Sequence, residues 1–426
     1  MGASSSPAMP RIAIVGNMNN GGFAIMRYFR DLGADAHLLP YSTDGQGNLA
    51  HFAPEADTWY PERSQPFIHA LGVPNASATL LSTSGILWSV SERRQLDTLL
   101  AGYDLFVASG IAPALFAALG RRLDIYFPYG MGIEFYGDIE FRNRMRSSWV
   151  RRLAHGGLRL MQARGIRATR HCLNAEMSLT QDSFNAIGKP FLRLAIPAVY
   201  NAEDPPARVP PTIEAAIGRL RAADLSLFSC ARLLWVRDPH LGEREWRSFT
   251  KNSDWMFHGL ARFVAQHPGV RVLLAVVEYG PDVEASKQLV ASLGLQDHVL
   301  WLPKMPRREI MLLLTAVDIG IGEFYQDHGV IWGGTGWEIL ASGRPFVQSF
   351  NFTPQGFAAE FGHPPPPVLD VKGPDDLARH LADGYRDPER RRQVGREGLA
   401  WFNAHNGVGL ARRWLDLLSA PPQPGV

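Results

Sequence analysis

The stretch GGTGWEILASGRPFV, Gly333 to Val347, sets Gly333, Gly334, Thr335 and Gly336 just ahead of a single carboxylate, Glu338. Glycine leaves the backbone free to turn sharply and to bring its N–H groups close to a ligand. At the positive end of a helix those amides suit a phosphate or diphosphate. Glu338 falls in the first turn of a helix read over Trp337 to Ser342, where the dipole favours an acid. Its two oxygens match two adjacent hydroxyls, as in a ribose 2′,3′-diol. Two cations join this set: Arg232 in SCARLLWVRDP and Lys251 in FTKNSDWMFHGL. Arginine would neutralise a diphosphate with a planar fork and lysine as a point charge. Each feature also has a plainer use, since a glycine-flanked helix start can be ordinary capping and either cation can be a solvated surface charge.

Such residues act together only if the chain folds them onto one edge. RIAIVG, the loop NMNNGG, the helical pattern FAIMRYFRDLG and the strand ADAHLL make a strand–loop–helix–strand unit of a parallel sheet. YDLFVAS, APALFAALG and LDIYFPYG continue the alternation. Residues 1–10 read as a disordered tail and 11–200 as one doubly wound α/β domain. A proline-rich linker follows at 201–212. Alternation resumes with LSLFSCARLL, DWMFHGLARFVAQHP, VRVLLAVVEYG, VEASKQLVASLGL, HVLWLP, RREIMLLLTA, VDIGIGEF and RPFVQSF, a second α/β domain over 213–395. Residues 396–420 read as a C-terminal helix. Two such sheets joined by a hinge leave a cleft, and ligands of open α/β sheets lie beyond the carboxyl ends of the strands.

Composition bounds the partners. The 426 residues are 46% hydrophobic and 20% charged, and 43 Lys plus Arg nearly balance 41 Asp plus Glu. That balance opposes a nucleic-acid binder, which needs a broad positive field. Two cysteines, Cys172 and Cys230, make neither a disulfide framework nor a cysteine zinc site, and a reducing cytoplasm is the expected compartment. The longest apolar stretches are too short to span a bilayer. GNMNNGG lacks the third glycine of the dinucleotide fingerprint, which opposes a dehydrogenase.

The order CARLL, TKNSDWMFHGLARF, EYGPDVEASKQLVASLGLQDHVLWLPKMPRREIMLLLTAVDIGIGEF and GGTGWEILASGRPFV resembles the nucleotide-binding half of GT-B glycosyltransferases. It is most similar to the retaining group called family GT4, well over about Leu225 to Val347 and more weakly over the first domain. The resemblance implies two Rossmann-like domains facing across a cleft, with the C-terminal helix returning to the first. It makes Arg232 and Lys251 the holders of a donor diphosphate, Gly334, Thr335 and Gly336 suppliers of amides, and Glu338 the ribose acid. Leu302 to Met305, including Lys304, would line the base pocket, and Asn20, Gly21 and Gly22 would form the glycine-rich loop near the reacting sugar. The family pairs two glutamates with seven residues between them, and the position preceding Glu338 by that spacing is Val330. Glu323 is the preferred replacement, with Asp327 and His328 as alternatives.

The expected activity is therefore transfer of a sugar from a nucleotide donor to a saccharide or lipid-linked acceptor in cell-surface glycan synthesis, with no metal or other cofactor required. The loop YFPYGMGIEFYGD offers Tyr129, Gly130 and Glu134 to the acceptor, and Ser42 to Pro66, with His51, is a second long loop. Arg142 to Arg170 form a basic segment without an acid, interleaved with apolar residues. It suits an anionic membrane surface, at the inner face of the membrane, or equally a solvated helix face. A sugar-nucleotide epimerase of the same fold and a catalytically silent nucleotide-sugar binder are the competing readings.

Overall fold

The computed structural model describes residues 9–41, 53–71, 90–128, 149–174, 179–196, 198–243, 246–247, 250–325 and 332–421. They form two compact units. The first comprises the chain through Tyr200 and from His405 onward, and the second runs from Asn201 to Ala404.

In the first unit five parallel strands stand in the order β2-β1-β3-β4-β5: β1 Arg11–Val15, β2 Asp35–Leu39, β3 Leu105–Ala108, β4 Ile125–Tyr126 and β5 His171–Cys172. This is one of the two common doubly wound orders, whose switch point lies between β1 and β3. The strands are mostly apolar on both faces because helices cover both sides of a parallel sheet. One face packs Val15, Phe106, Ala108, Tyr126 and Phe184, and the other Ile12, Ile14, Phe23, Phe29, Phe127 and Trp414. The basic segment is a helix over Trp149–Ala168 from its first described residue. It approaches the helix Ala112–Ala118 closely at Gly165, where a Cβ would come within 1.9 Å of the Pro113 carbonyl oxygen. Its described arginines are partly engaged: Arg167 Nε donates to the Ile187 carbonyl at 2.9 Å, and Arg170 to that of Leu418. Leu160 is 73% exposed.

The second unit holds six parallel strands in the order β11-β10-β9-β6-β7-β8: β6 Leu225–Ser229, β7 Val272–Val277, β8 Val299–Leu302, β9 Ile319–Ile321, β10 Phe346–Gln348 and β11 Val368–Asp370. Taken by position within the unit this is the 3-2-1-4-5-6 order, and β6 and β9 flank its switch point. The polar stretch at 201–212 belongs to this unit and runs into a helix at Pro211–Arg221, with proline at the first helical position where its missing N–H costs nothing. Residues 396–420 are two elements. The helix Pro388–His405 lies in the second unit to Ala404, and Val408–Ser419 belongs to the first, where Leu410 and Trp414 are fully buried. Among the described residues no helix is long and apolar enough to cross a membrane.

Candidate functional site

The carboxyl edge of the second sheet gathers most of the polar side chains singled out above. β6 and β9 are hydrogen-bonded neighbours although about ninety residues separate them in the chain. Three loops are laced together there. Lys251 donates its N–H to the Leu234 carbonyl (2.8 Å) and accepts from Phe324 N on its own carbonyl (3.1 Å). Ser253 Oγ accepts from Leu234 N and donates to the Arg232 carbonyl, and Asn252 Nδ2 donates to that of Phe324 at 2.7 Å. Asn252 is held at φ 42° to make this crossing, in the left-handed region that asparagine tolerates better than most residues.

This lacing fixes the ammonium of Lys251. Its Nζ lies 2.6 Å from Glu323 Oε2, with side-chain exposures of 19% and 8%. Tyr325 OH bonds to both Lys251 Nζ and Glu323 Oε2, closing a three-membered set. Glu323 follows β9 directly, and Gln348 Oε1, fully buried at the end of β10, accepts from its N–H. The set abuts the helix Gly333–Ser342. Gly333 has φ 57°, and a Cβ there would meet Glu323 Oε2 at 2.8 Å. Both constraints favour glycine at this position.

That helix begins at Gly333, four residues earlier than expected, with Gly334 to Gly336 in its first turn and Gly333 itself at a left-handed φ. Among the described residues no side chain caps it, and the first amides of a helix have no intrahelical partner. Gly336 N–H donates to the Trp332 carbonyl, so the amides without an intrahelical partner belong to Gly333, Gly334 and Thr335. Gly334 is exposed, with open space where its Cβ would be. Arg232 is exposed as well, and no ion pair involves it among the described residues.

Glu338 lies one turn further along and is 6% exposed. Arg307 Nε donates to its Oε1 at 2.8 Å, and Cys230 Sγ to its Oε2 at 3.3 Å. Burial, and then the neighbouring Glu338 charge, push the Cys230 thiol well above its usual range, so it acts as a neutral donor. Lys304 is exposed and sits over the half-exposed Tyr279 ring, 5.1 Å from its centroid, while Met305 is half-buried beside it. Arg307, Tyr325, Cys230 and Tyr279 are the site residues that sequence reasoning missed. The one available signal was position, since all four lie within five residues of a strand's carboxyl end.

The loop after β1 behaves differently. Asn17 Nδ2 donates to Asn20 Oδ1 (2.7 Å), Asn17 Oδ1 accepts from Phe23 N (2.8 Å), and Asn20 Nδ2 donates to the Ala53 carbonyl (3.1 Å). Asn20 and Gly21 donate their own amides to the Asn17 and Met18 carbonyls. Gly22 is buried, with room for no Cβ because the Gly16 carbonyl oxygen would lie 2.2 Å away. Asn19 and Asn20 both take left-handed backbone angles, φ 50° and 57°, which asparagine tolerates better than most residues. The Asn17 and Asn20 side chains are thus engaged by the loop, by the helix behind it and by the Ala53 carbonyl. Tyr129, Gly130, Glu134, His51, Asp327, His328, Val330, Arg142, Arg144 and Arg146 lie outside the described residues. No group of three or more His, Cys, Asp or Glu able to hold a metal occurs among the described residues.

No family model matches this chain. No curated protein matches it in sequence. Solved structures match its fold. HepE of Anabaena, crystallised with UDP and glucose, aligns at a TM-score of 0.56 and 15% identity over 96% of this chain and 99% of that one. WaaG, a glycosyltransferase involved in lipopolysaccharide biosynthesis, aligns at 0.52 and 13% identity over 96% and 100%. A putative UDP-N-acetylglucosamine 2-epimerase of Listeria monocytogenes aligns at 0.54 and 13% over 98% and 100%. The likeness is one of fold: two parallel-sheet α/β units of the GT-B kind.

Proposed function

We propose that the chain is a glycosyltransferase that moves a sugar from a nucleoside-diphosphate donor to a saccharide or lipid-linked acceptor. The observation that carries this reading is the convergence, on one sheet edge, of uncapped amides at Gly333–Thr335, the Lys251 ammonium and a buried ribose-type acid, Glu338. Amides and Lys251 would receive the diphosphate, Arg232 would add a second cation, and Glu338 the ribose hydroxyls. Lys304 and Met305 follow β8 and would flank the base. HepE and WaaG share the fold, and HepE was crystallised with UDP.

On this reading catalysis is electrostatic. As the sugar–phosphate bond breaks, charge grows on the departing diphosphate, where fixed cations and dipoles stabilise it without reorganising. The sugar passes through an oxocarbenium-like state and joins the acceptor oxygen, whose proton passes to the departing diphosphate, with retention, the outcome of the GT4 group that the sequence resembles. The chain's own Arg232 and Lys251 neutralise the diphosphate, so the reading assigns no metal. Acceptor binding falls to the first unit, and the basic helix with exposed Leu160 would hold a lipid-linked acceptor's anionic surface.

A thermal-shift screen of UDP-, GDP-, ADP-, CMP- and dTDP-sugars tests the donor site. One of them should raise the melting temperature, and Glu338→Ala should weaken that ligand at least about tenfold, or ~1.4 kcal/mol. Unchanged affinity in Glu338→Ala would remove the ribose assignment. The fold shared with the putative epimerase supports a second reading. Release of nucleotide that requires an added acceptor separates transfer from epimerisation, and a ligand that binds without ever being turned over marks a silent binder.

A further inference from the structure

We propose that Glu323 is an internal stand-in for a donor phosphate, and that it sets the site's preference for a diphosphate over a monophosphate. The inference rests on the nucleotide-binding reading above. Lys251 has three donors, and Glu323 Oε2 and Tyr325 OH already engage its ammonium. The Glu323 carboxylate is buried and lies against the start of the helix Gly333–Ser342, within 2.8 Å of where a Gly333 Cβ would be. One negative group therefore already lies against both the cation and the helix start that a phosphate would seek.

An incoming phosphate meets a neutralised lysine and a like charge. While Glu323 holds its place, the phosphate can take only the third ammonium donor, beside a like charge. A monophosphate brings one anionic group to that contact. A diphosphate brings a second, for which the proposal assigns Arg232, exposed, without an ion pair among the described residues, and tied through its carbonyl to Ser253, two residues after Lys251. The internal carboxylate thus sets a threshold of ligand charge. Gly333 belongs to the device, because any side chain there would push Glu323 off the helix start.

Isothermal titration of the full chain with UDP and UMP, and with the matching GDP and ADP pairs, tests this. Glu323→Gln keeps the shape of the side chain and removes its charge. Its affinity for the preferred diphosphate should rise about tenfold, and for the monophosphate further, so that the ratio between them narrows at least about threefold. Glu323→Asp, which withdraws the carboxylate from Lys251, should move both affinities the same way by less, and it serves if Glu323→Gln does not fold. Unchanged or weaker diphosphate binding in both Glu323 variants overturns the proposal while leaving the nucleotide reading intact. So does a loss confined to nucleotide-sugars, which would mean that the carboxylate faces the sugar. A wild-type chain that binds no nucleotide ends both.

Discussion

Burying the Glu338 carboxylate removes water from both its oxygens, and the chain replaces it with Arg307 Nε on one and Cys230 Sγ on the other. Such a pair adds little net stability but is costly to break, because the survivor is left buried and charged. Arg307→Met should therefore cost about 3 kcal/mol, read as a lower urea midpoint. The double variant Arg307→Met/Glu338→Gln should recover most of that loss, and a strictly additive result would show that the two side chains are not coupled. None of this was legible from residue types alone. Glu338, Lys251 and Arg232 stand out because a charge beside glycines or at a strand's end has an evident use. Arg307 looks like one more basic residue opening a helix, and Cys230 like a strand residue. Their roles appear only when the sheet order sets β6 beside β9 and brings the helix behind β8 against the helix behind β9.

Elements were legible where apolar runs were long and punctuated by glycine or proline. In the second unit β6 to β10 and helices such as Asp254–Gln266 fall where alternation places them, while β11 was not anticipated. β5, at two residues, carries too little pattern, and the polar helix Val90–Leu100 buries only a narrow stripe. Helix contacts were not legible at all. Gly165 reads as an ordinary glycine of a basic segment, yet it lets the helix Trp149–Ala168 lie on the backbone of the helix Ala112–Ala118. Gly165→Ala should destabilise the first unit by about 1–3 kcal/mol, the range for overpacking, since the atoms opposing the new methyl group are Pro113 backbone and cannot rotate away. A melting temperature equal to that of the parent chain would refute the contact.

At the scale of the whole molecule, the first unit is built from both ends of the described chain while the second is continuous. The helix Val408–Ser419 covers the apolar face formed by Phe23, Phe29 and Phe127, with Trp414 5.1 Å from the Phe127 ring centroid. Trp414→Ala should cost the first unit about 3–5 kcal/mol. Calorimetry should resolve this as one transition moving down while the other stays, and equal movement of both would show the units to be a single cooperative block. The same connectivity orders the molecule's maturation in time. A ribosome adding roughly 5–20 residues per second needs on the order of 10–40 s to synthesise the intervening unit. During that interval the second unit can complete its own sheet, while the phenylalanine surface that awaits Trp414 stays wet. Chaperones that hold nascent chains would find their substrate there, on the half of the protein that is made first and finished last.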